Sequence, residues 1–548
     1  MQRRELLRRS AAFFSVITAG SVLSACGGDD DAPATEPGPP EGSFRFDLGV
    51  ASGDPRADSV VLWTRVQSSG NTQPDSIPLT LQVSLQEDFA TLLVEQPLDA
   101  SARYDHTVRA KIRQLQAATR YYYRFKAGSD VSATGISKTA PAADAQLSSL
   151  RFAWFTCQDW SVNHWGAMEL LAAEQDLDFT VHVGDYIYET VGAGFQTGQV
   201  ESTHPPITLP DGMPLADGST AALSLADYRT LYRTYRGDAR LQEVHRKFPF
   251  IAVWDDHEFS DDCWQDHQTY NNANQQQTGR RRAANQAWFE YMPVDMGDVA
   301  FDLDNARYDN IRIYRDFRFG QLMHLVMTDQ RLYRDDHAIP EVLVPLAQGA
   351  PLDAALQMDT SVGSRYFTPL PTLLQAQSFD LMAQQPRAAA PSVLGQTQTQ
   401  WWKDTMRQSN ATWKIWGNEL SLSRMWADLR QHPMVTDPAL QQVFAINADC
   451  WDGYPVHRTE LMQFLTQHNI RNVVAITGDL HAFQCGIVRD QIGYDPRQPQ
   501  AAINPPAGQL EVRFHKVKPL QQGQAPASPL LHTTRITLPA GSTFPVVH

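Results

Sequence analysis

The sequence predicts an α/β protein, a large domain of apolar strands alternating with helices, preceded by a small antiparallel β-sandwich. Three observations predict it. From about residue 148 onward, wholly apolar runs recur with helical segments between several of them. Strands of that kind lie in a sheet buried on both faces. Residues 44–142 instead carry short β-rich runs bounded by Gly, Pro, Asp and Ser, the spacing of a sandwich. The composition, 42% hydrophobic and 20% charged over 548 residues, is globular and excludes a largely disordered or fibrous chain.

Residues 1–26 read as an export signal: Arg3-Arg4-Glu5-Leu6-Leu7-Arg8-Arg9 precedes an apolar stretch, Ala11 to Leu23, that is too short to span a bilayer. The paired arginines resemble a twin-arginine signal. Leu23-Ser24-Ala25-Cys26 resembles a lipobox, which implies lipidation at Cys26 and a membrane anchor there; the alternative is a cleaved secretory signal. Gly27 and Gly28 carry no aspartate, which in that resemblance leans to the outer membrane; the expected location is a periplasmic or outer-membrane lipoprotein. Loss of residues 1–26 removes four Arg and one Glu and moves the net charge from −15 to −18. Residues 27–43, rich in Pro, Gly and acids, form a flexible tether.

In 44–142, Ser59–Thr64, Leu79–Ser84 and Arg120–Phe125 are strands, and Thr139 to Asp144 make the junction. In 148–548, six apolar runs each end in residues able to do chemistry. Leu150–Phe155 leads to Cys157, Phe179–Val183 to Asp185 and Tyr188, and Phe250–Trp254 to Asp255, Asp256 and His257. Leu322–Met327 leads to Asp329 and Arg331, Trp413–Trp416 to Asn418, and Val473–Ile476 to Asp479 and His481. Helices are expected at Trp165–Glu174 and Thr459–Gln467. Ligands gather beyond the carboxyl ends of strands in layered α/β folds. Any one acidic strand end is a turn or a cap; six together point to one site.

The inventory is oxygen donors with one imidazole and one thiol. Carboxylates suit hard cations such as Ca²⁺, and a thiolate with a phenolate favours a more Lewis-acidic ion such as Fe³⁺. Asp479 and His481, two apart on extended backbone, share a face. Two or more such ions clamp a phosphoryl group and activate hydroxide. The acidic chain excludes nucleic acid as a dedicated partner. Five cysteines are too few for a disulfide scaffold, although one bond among Cys263, Cys450 and Cys485 stays open. No Gly-rich phosphate loop is present, which excludes a P-loop NTPase.

GDYIYE (184–189), VWDDHE (253–258), TDQRLYR (328–334), DCWDGYP (449–455) and TGDLH (477–481), with GVASGDP (49–55) and LWTR (62–65), resemble the PhoD-type alkaline phosphatases. The resemblance implies a β-rich amino-terminal domain joined to a calcineurin-like metallophosphoesterase domain of four layers, α-β-β-α. It implies Fe³⁺ and Ca²⁺ in the site, twin-arginine export, and hydrolysis of phosphomonoesters and phosphodiesters by metal-activated hydroxide. It makes Cys157 the thiolate, Tyr188 the phenolate and His481 a further ligand on iron, Asp185 the bridging carboxylate, and Asp479 a calcium-side ligand. Asp256 falls where relatives carry a metal-binding Asn, and Asp261 or Asp262 completes a calcium site. His257 stands near the leaving group. Asn418 is a metal-side amide or a turn residue, and Arg331 a substrate contact or an internal ion pair. The expected protein is a monomer acting on small phosphate esters. Its rivals are a phospholipase D-like phosphodiesterase and a non-catalytic phosphate-binding surface lipoprotein.

Overall fold

Residues 50–138 form seven main strands, besides two of two residues each, in the computed structural model: β1 (Val50–Gly53), β2 (Val60–Arg65), β3 (Ser76–Ser84), β4 (Val94–Ser101), β5 (Thr107–Ile112), β6 (Arg120–Ala127) and β7 (Gly135–Lys138). The structure describes residues 43–339, 366–488, 508–515 and 530–538, with gaps at 71, 164, 197–202, 271–273, 382, 432–437, 439–440 and 483. The signal, Cys26 and nearly all of the tether lie outside the described residues.

Strands β7-β6-β3-β4 form one antiparallel sheet. Alternate side chains of β3 (Ile77, Leu79, Leu81, Val83) and β6 (Tyr121, Tyr123, Phe125) point into one core, which they share with Val60, Leu62, Val108 and Ile112. At about 1.5–3 kcal/mol per large apolar side chain, this core is the main cohesion of the region. Strand β2 is buried along its whole length because its two faces serve two cores: Val60 and Leu62 join this one, and Trp63 joins the larger core that follows. Its run VVLW is continuous for that reason.

The elements that position the site are β8 (Phe152–Phe155), α1 (Gly166–Ala173), β9 (Phe179–Val183), α2 (Leu225–Arg236), α3 (Ala239–Lys247), β10 (Phe250–Val253), α4 (Thr278–Tyr291), β11 (Arg315–Phe319), β12 (Met323–Met327), α5 (Gly395–Gln408), β13 (Trp413–Gly417), α6 (Pro455–Gln467) and β14 (Val473–Ile476). Helix α2 starts at a capping box between Ser224 and Asp227, and α3 starts under the Asp238 side chain. Strands β8-β9-β10-β1-β2-β5 make a six-stranded sheet, parallel from β8 to β1. The amino-terminal strands β1, β2 and β5 therefore continue the sheet of the larger region through the β10–β1 pairing. A second sheet, β11-β12-β13-β14, is parallel from β12 to β14. Helix α6 begins at Pro455, four residues before the sequence expectation, because proline is well suited to a first helical position. Residues 508–515 and 530–538 pair antiparallel with each other. Among the described residues no helix is long and apolar enough to cross a membrane.

Candidate metal centre

Parallel strands deliver their carboxyl ends to one side. The two sheets meet there through Gly478, after β14, and Thr156, after β8. A Cβ on Gly478 would lie 2.3 Å from Thr156 Oγ1, so only glycine allows this approach. Gly184, after β9, has φ +104°, and a Cβ there would lie 2.3 Å from Asp255 Cβ. Just beyond these glycines the backbone turns left-handed at Cys157 (φ 54°), Asp185 (59°), Asp479 (65°) and His481 (52°). Non-glycine residues held there cost on the order of 1–3 kcal/mol each, and such strain gathers at functional sites.

Four groups of ligand atoms overlap at this rim, each with its atoms within 4.8 Å of one another. They are Cys157/Asp185/His481, Asp185/Asp256/His257, Asp255/Asp256/Asp479 and Asp256/Asp261/Asp262. Asp185 belongs to two of them and Asp256 to three, as bridging carboxylates would. The centre runs from buried Cys157, Asp185, Asp255 and Asp256 to exposed His481 and Asp261. Tyr188 joins it: its Oη lies 2.8 Å from His481 Nε2 and donates to Asp185 Oδ2 at 3.4 Å. Cys157 Sγ donates to the same Asp185 oxygen at 3.3 Å.

This donor set fits cations. Asp185 Oδ1 is buried without a hydrogen-bond partner, and buried Asp256 Oδ1 has only Arg331 Nη2, at 3.5 Å. Burial and then the neighbouring Asp256 charge push the Asp185 carboxyl well above its ordinary range. Burial and the Asp185 carboxylate do the same to the Cys157 thiol and the Tyr188 phenol. A multivalent ion would relieve that repulsion and displace the protons.

Two expected residues are engaged inside the fold. Arg331 is fully buried, donates to Asp255 and Asp449 (3.0 Å to Asp449 Oδ2), and sits 3.4 Å from Asp479 Oδ1. It is the internal counter-ion of the acidic cluster, and the expectation of a substrate contact is corrected on that ground. The Asn418 amide is consumed internally: its oxygen accepts from Trp451 Nε1 at 2.8 Å and from Gln330, and its nitrogen donates to the Leu420 carbonyl. Cys263 and Cys450 are buried thiols, Cys485 is exposed, and none of the three is in a disulfide.

Four acids organise the rim, and of these only Asp255 was singled out by the sequence. Glu258 accepts the backbone N–H of Asp185 (3.1 Å), Tyr186 (2.6 Å) and Asp255 (2.8 Å), stapling the β9 and β10 ends together. Asp255 stands among the ligand groups. Asp449 joins Arg331, Arg334 and His337. Glu189 accepts from His257 Nδ1 at 2.7 Å. Glu258 and Glu189 lie inside the motifs at 253–258 and 184–189, which was the available signal.

An α/β scaffold with thiol, phenol, imidazole and shared carboxylates at the ends of parallel strands defines a protein with a candidate multinuclear metal centre. Comparison with known families is specific: a PhoD-like phosphatase model matches residues 152–507, and the model of that family's N-terminal domain matches residues 32–141. The chain belongs to the PhoD-like phosphatase family. It is 30% identical over 446 residues, 80% of its length, to alkaline phosphatase D of Bacillus subtilis (strain 168), and spans 65% of that relative. The solved structure of PhoD superposes with a TM-score of 0.69 at 24% identity, over 93% of this chain and 94% of that one. The shared fold is mixed α/β with a β-rich amino-terminal region.

Proposed function

We propose that the chain is a metal-dependent phosphoric ester hydrolase of the alkaline phosphatase kind, acting on phosphomonoesters and phosphodiesters. The observation that carries this reading is the overlap of ligand groups at Asp185 and Asp256. Ions bound there would supply Lewis-acid polarisation of the phosphoryl oxygens and ready ionisation of an attacking water. The Cys157, Tyr188 and His481 side suits Fe³⁺, and the carboxylate side, Asp256, Asp261, Asp262 and Asp479, suits Ca²⁺.

The chain's own residues bind and orient. Asp185 and Asp256 would be shared between the ions, Arg331 holds Asp255, Asp449 and Asp479 in register, and Glu258 fixes the loop carrying Asp185. His257, with 12% of its side chain exposed, would meet the ester oxygen that departs. The finer reading has two sheets between helical layers and an amino-terminal β-sandwich. It also has export by the twin-arginine route, a lipid anchor at Cys26 on the periplasmic face of the outer membrane, and a monomer as the working form; the sequence features at Arg3-Arg4 and Leu23–Cys26 support the export and anchoring. The test is turnover of p-nitrophenyl phosphate and bis-p-nitrophenyl phosphate by protein loaded with iron and calcium. Turnover of both supports the reading, and turnover of neither supports a phosphate-binding role instead.

A further inference from the structure

An open cleft of about 480 Å³ lies at the end of the second sheet away from the metal groups. The ends of α5 and α6 and the starts of β13 and β14 bound it, and Arg407, Ser409, Thr412, Lys414, His468 and Arg471 are among its lining. Strands β13 and β14 are five and four residues long, so roughly 13–17 Å of sheet separates the cleft from the residues that end them. Among the described residues no carboxylate lines the cleft, although the chain carries 61 acids to 46 Lys and Arg. Two of the lining groups answer to their own helices. Arg407, in the last turn of α5, pairs with Asp404, and His468 ends α6 with Nδ1 donating to the Phe464 carbonyl at 3.0 Å. Lys414 and Arg471 stand on the strand and its approach, and have no such partner. Arg471 is exposed and donates from Nε to the Asn469 side-chain oxygen at 2.8 Å. Lys414 is part-buried, and among the described residues it pairs with no carboxylate. It shares its face of the sheet with His324 and Arg318, directly across on β12 and β11. Asp316, the acid on that face, is taken by His324 Nε2 at 2.8 Å. Burial and then the Arg318 charge push the Lys414 ammonium below its ordinary range.

We propose that this cleft is a second anion site, separate from the metal centre, in which Lys414 and Arg471 grip a phosphate-type oxyanion. Two cations without a carboxylate match the charge near −2 that a phosphate or phosphomonoester carries near neutral pH. The Arg471 fork fits two phosphate oxygens, and the Lys414 ammonium adds a compact charge from the floor. The hydroxyls of Ser409 and Thr412 lie in the same lining. The volume leaves room for the organic part of a phosphate ester. The same group comes from solution as a free phosphate or from a membrane as a phosphomonoester headgroup, and the two sources are separable by experiment.

The test is equilibrium dialysis of the full, metal-loaded chain against radiolabelled inorganic phosphate, for wild type and for Lys414→Gln/Arg471→Gln. The double variant should bind one phosphate per chain fewer, with metal content and melting temperature unchanged. That difference does not depend on what the metal centre binds, so the result stands apart from the hydrolase reading. Each single substitution should weaken the site about 10-fold, and Lys414→Arg should keep its affinity within about 3-fold; these variants decide the matter if the double variant does not fold. The same proteins are sedimented with phosphatidylcholine vesicles containing phosphatidic acid. Sedimentation lost in the double variant, with no difference in dialysis, assigns the phosphate to a lipid headgroup. Equal phosphate binding together with equal sedimentation in wild type and double variant would overturn the proposal and leave Lys414 and Arg471 as surface charge.

Discussion

Arg331 Nη1 lies 3.0 Å from Asp449 Oδ2, and neither side chain has exposed surface. The same guanidinium reaches Asp255, Asp256 and Asp479, so one cation balances the carboxylates behind the metal groups. Breaking a buried pair by removing one partner leaves uncompensated charge. Arg331→Met should destabilise the metal-free protein by about 3–5 kcal/mol, measured by urea unfolding. Arg331→Lys should recover only part, because an ammonium cannot fork between two carboxylates.

Cys157→Ala removes the thiol of the Cys157/Asp185/His481 group. The residue is buried but small, and its loss costs little packing. Iron content should fall to near background while calcium and the unfolding midpoint stay close to wild type, as read by elemental analysis and thermal melting. Normal iron content would remove the thiolate from the assignment.

Gly478→Ala places a methyl 2.3 Å from Thr156 Oγ1, where the two sheets touch. Overpacking of this kind costs about 1–3 kcal/mol. Because Asp479 and His481 follow directly, metal affinity should fall more than stability does, and titration of bound metal against melting temperature separates the two.

His457 couples α6 to α5 and fixes a pH limit. Its Nδ1 accepts from the Val393 N–H at 3.1 Å, and its Nε2 lies 3.0 Å from the Thr399 hydroxyl. Burial pushes its pKa down to about 4. The unfolded chain takes up a proton near pH 6.5 that the native ring refuses. Stability from this residue is therefore intact above about pH 6.5 and lost as pH falls towards 4, on the order of 3 kcal/mol in total. His182, pushed down by burial to about 3, acts in the same sense. Urea midpoints between pH 7 and 5 should fall, and His457→Gln should flatten part of that slope.

The strand ends were legible because parallel strands buried on both faces read as unbroken apolar runs, and whatever interrupts them is conspicuous. Phe179–Val183 and Val473–Ile476 match the expected bounds, and Cys157, Asp185, Asp256, Asp479 and His481 were visible as their terminators. What lay hidden are roles set by long-range contact. Nothing local tells that Arg331 pairs with Asp449, 118 residues away, or that Glu189 receives His257, 68 residues away. The same holds for β2, whose apolar run belongs to two cores at once.

The central claim is tested most directly by one measurement: hydrolysis of p-nitrophenyl phosphate by protein of known metal content, before and after chelation and reloading. Turnover should vanish when iron and calcium are removed and return with both, and should be lost in Asp185→Asn because this carboxylate is shared by two ligand groups. Turnover that survives complete metal removal, or full activity in Asp185→Asn, would contradict it.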